Sequence, residues 1–369
     1  MRGARRAAHV VATVFALLLM ACEEPAPFQV GFIGGLSGRS TDIGEASRNA
    51  VQLAIEQINA RGGIDGRAVE LLVRDDADDP ETAANAVREL HQAGVAAIIG
   101  PNVSSVAVGM LPVVNELQVV TISPTASSLV LAGQDDYLFR INWTTRDNAI
   151  IYAERYLERG VRKMAVALDA NNLAFTQSWL EEFRVPYERG GGTIAAVEAF
   201  DTSAERGFAN TARILLASGP DAVLLVSNSV DTAQLAQQIR KQDADILLVA
   251  AEWAASEHLL QLGGRAIEGL ELVQSYDRND DSVLYTRFRD DYRARFAADP
   301  GYSSLAAYDA ATMLFAALAK NGDTGSLKQT LVEIGSVQGL QQMVRFDTGG
   351  DAQRSAFFVV IRDGRFASQ

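Results

Sequence analysis

The chain has 369 residues, a formal net charge of −13, one cysteine and three histidines. That acidic balance argues against nucleic acid, whose phosphates are held by clustered Lys and Arg; here the basic residues are scattered among acids, as in 285–296. A lone cysteine excludes an internal disulfide. The length exceeds the roughly 250 to 300 residues at which a single core stops growing, so two lobes are expected.

The first 21 residues read as a secretory signal: Arg2, Arg5 and Arg6, then an apolar run over 10–20, then small Ala21. The run is shorter than the roughly 20 residues a membrane helix needs, and charge returns at Glu23 and Glu24. Leu19-Met20-Ala21-Cys22 also resembles a bacterial lipobox, which implies acylation of Cys22 through its sulfur, a new N-terminus there and a short tether over 22–27.

Strand and helix signals then alternate. A strand pattern over 28–33 stops at Gly34-Gly35, and 46–60 carries Ala50, Val51, Ala54, Ile55 and Ile58 on one helical face before Gly62-Gly63. After a strand at 69–73, Asp79 is an N-cap with Pro80 at the first helical position, and that helix ends before Gly94. The runs 95–99 and 119–122 are continuously apolar and bounded by Gly or Pro, as in strands buried on both faces of a parallel sheet. Beyond 137–141 the grammar restarts, with strands at 163–168, 193–200, 222–226, 246–250 and 270–273 and helices at 176–189, up to 217, 232–241 and 257–262. Helices at 284–296 and 304–320 follow, and 344–346 with 357–361 looks like a hairpin. The expectation is an α/β chain of two doubly wound parallel-sheet lobes.

In such sheets ligands bind beyond the carboxyl ends of the strands. Two hydroxyl-rich turns fall there, Gly100 to Ser105 and Ser123 to Ser128, each expected to open a helix. Free amides and a helix dipole at Ser104, Ser105, Thr125, Ala126 and Ser127 would make a pocket for a carboxylate. From the other half come Asn228 and Glu252-Trp253. An acid leaving a run as apolar as 246–251 is partly buried and needs a partner, which a ligand ammonium supplies. Each has a structural competitor: hydroxyls and Asn228 as helix caps, Glu252 in an ion pair with an arginine.

The motifs Gly34-Gly35-Leu36-Ser37-Gly38, Ala60 to Arg67, Asp75-Asp76 with Asp79-Pro80, Ile99-Gly100-Pro101 with Ser104-Ser105, Ser123 to Ser127, and Phe346-Asp347 with Gly349-Gly350-Asp351 together resemble the type I periplasmic binding proteins, within them the branched-chain amino-acid binders. The resemblance spans nearly the whole mature chain. It implies two lobes joined by a three-crossing hinge, one over 28–144 plus 278–350, the other over 145–277 plus 351–369. It implies that Ser104 and Ser127 donate to a ligand carboxylate, that the Thr125 carbonyl and Glu252 accept its ammonium, and that Ile43, Phe175 and Trp253 form an apolar wall. Leu173 and Asn228 stand where the family often has aromatic residues, so the ligand's side-chain pocket differs; Asn102 and Asn228 are candidates to read a polar side chain.

Enzyme signatures are absent: Arg39 spoils a nucleophile elbow at 34–38, and no phosphate loop or GxGxxG occurs. The histidines suggest no metal site, and Pro80 and Glu81 break a calcium-loop reading of Asp75, Asp76, Asp78 and Asp79. No cofactor, metal or nucleic acid is expected. The partners implied are a small amino acid or analogue, an ABC permease, and a membrane reached through the lipid. The alternative is a ligand-sensing regulatory lipoprotein of the same fold.

Overall fold

The computed structural model describes residues 25–201, 207–321 and 325–369; the expected signal segment and Cys22 lie outside them. The first sheet holds β1 (Phe28–Gly34), β2 (Val69–Asp75), β3 (Ala97–Ile99), β4 (Thr121–Ser123) and β5 (Leu138–Arg140) in the order β2-β1-β3-β4-β5, every pairing parallel. The second holds β6 (Lys163–Asp169), β7 (Thr193–Phe200), β8 (Ala222–Val226), β9 (Leu247–Ala250) and β10 (Glu271–Gln274), also parallel among themselves. Beyond β10 it continues antiparallel through β13 (Phe357–Arg362) to β14 (Arg365–Ser368).

The helices cover these sheets where their apolar stripes predict. In α1 (Thr41–Ala60) the buried face includes Ala50, Val51, Ala54 and Ile55, and it packs on α10 (Tyr302–Asn321), whose Ala307, Ala310, Ala311 and Ala317 let the two axes approach closely. The Asp79 carboxylate accepts from the Thr82 amide at 2.7 Å and caps α2 (Pro80–Gln92). Gly100 ends β3 at φ +123°, with Ile33's carbonyl oxygen 1.9 Å from where a Cβ would sit, so only glycine allows the turn that delivers α3 (Ser104–Leu117) to the sheet's end.

The second lobe carries α4 (Thr145–Glu158), α5 (Leu173–Arg189), α6 (Phe208–Ala217), α7 (Ser229–Arg240) and α8 (Glu257–Gly263). Apolar periodicity does not reveal α4; its signal is the capping box of Thr144 with Asp147. On α5, Trp179, Phe183 and Tyr187 recur every four residues and stack with centroids 5.4 and 4.8 Å apart, pairs worth about 0.5 to 1.5 kcal/mol each beyond burial. The chain then returns through α9 (Val283–Phe296) and α10 to α11 (Leu327–Glu333), a short helix the sequence reading omits.

The expected hairpin of 344–346 with 357–361 does not form. A short ribbon of β11 (Val337–Gln338) and β12 (Met343–Val344) pairs internally, while β13 goes to the second sheet. Val359, Val360 and Ile361 are all buried there, which no two-stranded surface hairpin provides. Passages between the sheets fall after β5, after β10 and between β12 and β13.

Candidate functional site

The carboxyl ends of both sheets face one cleft. Ser104, Thr125, Ser127, Phe175, Glu252 and Trp253 line an enclosed chamber together with Asn102, Asn142, Asn172 and Tyr302. Its free space is about 20 Å³, room for roughly one water molecule.

The wall from the first lobe is a set of small hydroxyl groups braced against one another. Ser104 Oγ accepts from the Ser127 and Ser128 amides, both at 3.2 Å, tying the start of α3 to the turn after β4. Thr125 Oγ1 donates to the Asn102 carbonyl at 2.8 Å and accepts from Asn102 Nδ2 at 3.2 Å. The 123–128 turn does not open an α-helix as expected; a single 3₁₀ turn, Leu129–Leu131, follows it, so the dipole at this wall comes from α3 alone.

Glu252 enters from the second lobe at the first residue of a 3₁₀ turn after β9. Asn148 Nδ2 donates to its Oε1 at 2.9 Å and the Trp179 indole to its Oε2 at 3.0 Å. The aromatic stack of α5 thus aims one donor and α4 the other, which fixes the carboxylate toward the cleft. Among the described residues no arginine pairs with it, contrary to the structural alternative. Among the described residues no Lys, Arg or His lines the chamber or the smaller one behind it, which shares Asn142, Glu252 and Tyr302 and adds Trp143 and Gln274. Burial raises the Glu252 pKa from 4.5 to about 7, its own backbone amide and the two side-chain donors offsetting only part of that cost. Of the carboxylate's roughly four lone-pair directions, its own amide, Asn148 and Trp179 take three, so one remains for an ammonium without displacing Asn148 or Trp179.

Phe175 and Trp253 meet edge-on at 5.6 Å and form the apolar wall. Four expected residues lie elsewhere. Asn228 is an N-cap: its Oδ1 accepts from the Asp231 amide at 2.9 Å and its Nδ2 bridges Asp169 and Asp231, so it has no group left for the chamber. Ser105 is a cleft-rim contact, its amide donating to Asn172 Oδ1 and its Oγ accepting from the Ala174 amide. Ala126 packs in a small core cluster with Ala107, Leu131 and Leu138, and Ile43 lies in the main core. Leu173 stands 39% exposed on the rim, leaving Phe175 as the aromatic from this segment. Sequence reasoning missed Asn142, Asn148, Asn172, Trp179 and Tyr302; only the four-residue aromatic spacing on α5 offered a signal, and it marked a buried face, not a donor.

Among the described residues no group of His, Cys, Asp and Glu is arranged to hold a metal. In the Asp75 to Asp79 run, Asp79 caps α2 and Asp75 and Asp78 accept backbone amides of the 36–40 loop. Asp76, 1% exposed, has its pKa raised to about 7 by burial.

The profile of the periplasmic binding protein family matches residues 27–365, and the chain belongs to that family. Its relatives include binders named for branched-chain amino acids: the Leu/Ile/Val-binding protein BraC3 of Rhizobium johnstonii is 24% identical over 270 residues, 73% of either chain. Among solved structures, the isoleucine complex of LivJ from Streptococcus pneumoniae superposes with a TM-score of 0.86 at 23% identity, covering 93% of this chain and 99% of that one. A solute-binding protein from Rhodopseudomonas palustris in complex with 3,4-dihydroxybenzoic acid superposes at 0.82 and 22% identity, covering 92% and 95%. No helix among the described residues is long and apolar enough to cross a membrane.

Proposed function

We propose that this chain is an extracytoplasmic solute-binding lipoprotein that takes an α-amino acid between two closing lobes and delivers it to an ABC permease. The observation that carries the reading is the opposition, across one chamber, of Ser104 and Ser127 to a buried Glu252 that has no cationic partner among the described residues. The ligand carboxylate goes to the hydroxyls and the α3 N-terminus, and its ammonium to Glu252 and the Thr125 carbonyl. Asn102, Asn142 and Asn172 around the remaining space suit a polar or compact side chain better than a long aliphatic one.

A second reading, an aromatic carboxylate, draws support from the Phe175–Trp253 pair and from the ligand of the Rhodopseudomonas protein. It is the weaker one, because such an anion would share a buried chamber with Glu252 and, among the described residues, no positive side chain. A thermal-shift screen of amino acids, amides and aromatic acids separates the two. A ligand at 100 times its dissociation constant adds about 2.7 kcal/mol of stability. Shifts by amino acids support the first reading; shifts by aromatic acids alone overturn it. Lipidation is tested by Cys22→Ser, which should release the protein from the membrane fraction.

A further inference from the structure

Asp42 sits in the first turn of α1, on the cleft rim, and lines neither chamber. Its Oδ1 accepts from the Ile43 amide at 2.8 Å. Its Oδ2 accepts two hydroxyl bonds from the other lobe, Ser229 Oγ at 2.7 Å and Ser256 Oγ at 2.5 Å. Ser229 opens the 12-residue α7, so the carboxylate also faces the positive end of that helix. Three residues earlier, Arg39 crosses the same rim to pair with Asp231, itself only 2% exposed and in the first turn of α7.

The segment bearing Arg39 and Asp42 is held rigidly. Asp75 Oδ1 accepts from the Leu36 and Ser37 amides, and Asp78 Oδ2 from those of Arg39 and Ser40. The acidic run that resembled a calcium loop is thus a mount for this rim. Among the described residues the opposite rim closes through neutral groups: Ser105 with Asn172 and Ala174, Ser128 with the Ala174 carbonyl, and the Leu129 amide with Ser178.

We infer that Asp42, aided by Arg39, is a charged clasp that sets the balance between open and closed lobes without touching the ligand. The inference rests on the two-lobe closure proposed above but not on which solute binds. Opening this rim exchanges two charge-assisted bonds and an ion pair for bonds to water, while the neutral rim loses far less. Asp42 is therefore a positioning residue: it acts on affinity through the conformational equilibrium.

The test uses the mature protein, ligand-free, with dyes on exposed Gln92 and Lys241, one per lobe, and single-molecule energy transfer to read the closed fraction. Asp42→Ala should lower the closed-to-open ratio by roughly tenfold, the range for charge-assisted bonds partly screened by solvent. Because Asp42 also holds the start of α1, Ser229→Ala with Ser256→Ala serves as the second variant, since it removes both donors and leaves α1 intact. That pair should reproduce most of the shift, and adding Asp42→Ala to it should change little more. A distance distribution unchanged in folded Asp42→Ala, or effects of the two variants that simply add, would overturn the clasp. Failure of the amino-acid reading shows separately, as an amino-acid screen with no thermal shift.

Discussion

Replacing Glu252 by Gln keeps size and shape but removes the charge. Ionising Glu252 in the folded protein is costly: a rise from 4.5 to about 7 corresponds to about 3 kcal/mol at pH 8. The sign follows from proton binding. Between pH 4.5 and about 7 the folded state holds the Glu252 proton more tightly than the unfolded state, so this contribution is full below 4.5 and is lost as pH rises through 7. Gln has no such cost, but its amide nitrogen must face either Asn148 Nδ2 or the Trp179 indole, both donors, and one bond is lost, at about 1 to 2 kcal/mol. The net expectation is a variant as stable as the wild type at pH 8 or more stable, and less stable at pH 4.5. Affinity moves the other way: loss of the bond to a ligand ammonium costs about 1.5 to 3 kcal/mol, a tenfold to 150-fold weakening. Thermal unfolding at the two pH values and calorimetry at pH 8 measure both. Unchanged affinity at unchanged fold would refute the assignment, and a large loss of stability at pH 8 would refute the electrostatic argument.

Asn228→Ala should cost about 1 to 2 kcal/mol of stability through the lost cap of α7, with ligand affinity unchanged in calorimetry. Ser104→Ala removes the acceptor that holds the Ser127 and Ser128 amides and should weaken binding at least tenfold, with an unfolding temperature only slightly lowered. Trp179→Phe keeps the stack with Phe183 but withdraws one donor from Glu252; Glu252 then ionises less readily, and affinity should fall more at pH 6 than at pH 8. Asp76→Asn should stabilise the protein at pH 8 relative to pH 5, because the raised pKa of Asp76 makes its contribution full below 3.8 and lost as pH rises through about 7; equal unfolding temperatures for variant and wild type at both pH values would contradict this.

Most of the architecture was readable because parallel strands are buried on both faces, so 95–99, 222–226 and 246–250 announce themselves as apolar runs between Gly, Pro and Asp. The reading shortened where burial stops: β3 begins only at Ala97. It failed for α4, whose polar face hides its period, and for β13, whose continuous apolar run does not say which sheet takes it. That Ser104, Ser127 and Glu252 would line one chamber was legible, because topology sends strand ends to one cleft. Asn228 was misread because a ligand contact and an N-cap share the same signature, an amide just beyond a strand and before a helix. The donors to Glu252 were not legible at all, since Asn148 and Trp179 lie 104 and 73 residues away in sequence and meet it only through the packing of α4 and α5.

Proton exchange on binding probes the proposed zwitterion most directly. With the best ligand from the screen, calorimetry at pH 6.5 in two buffers of different ionisation enthalpy counts protons moved. A ligand ammonium requires Glu252 as carboxylate, so binding should release a fraction of a proton, and affinity should weaken as pH falls below about 7. Proton uptake, with affinity rising as pH falls, would mean that a neutral Glu252 faces an anion and would contradict the account.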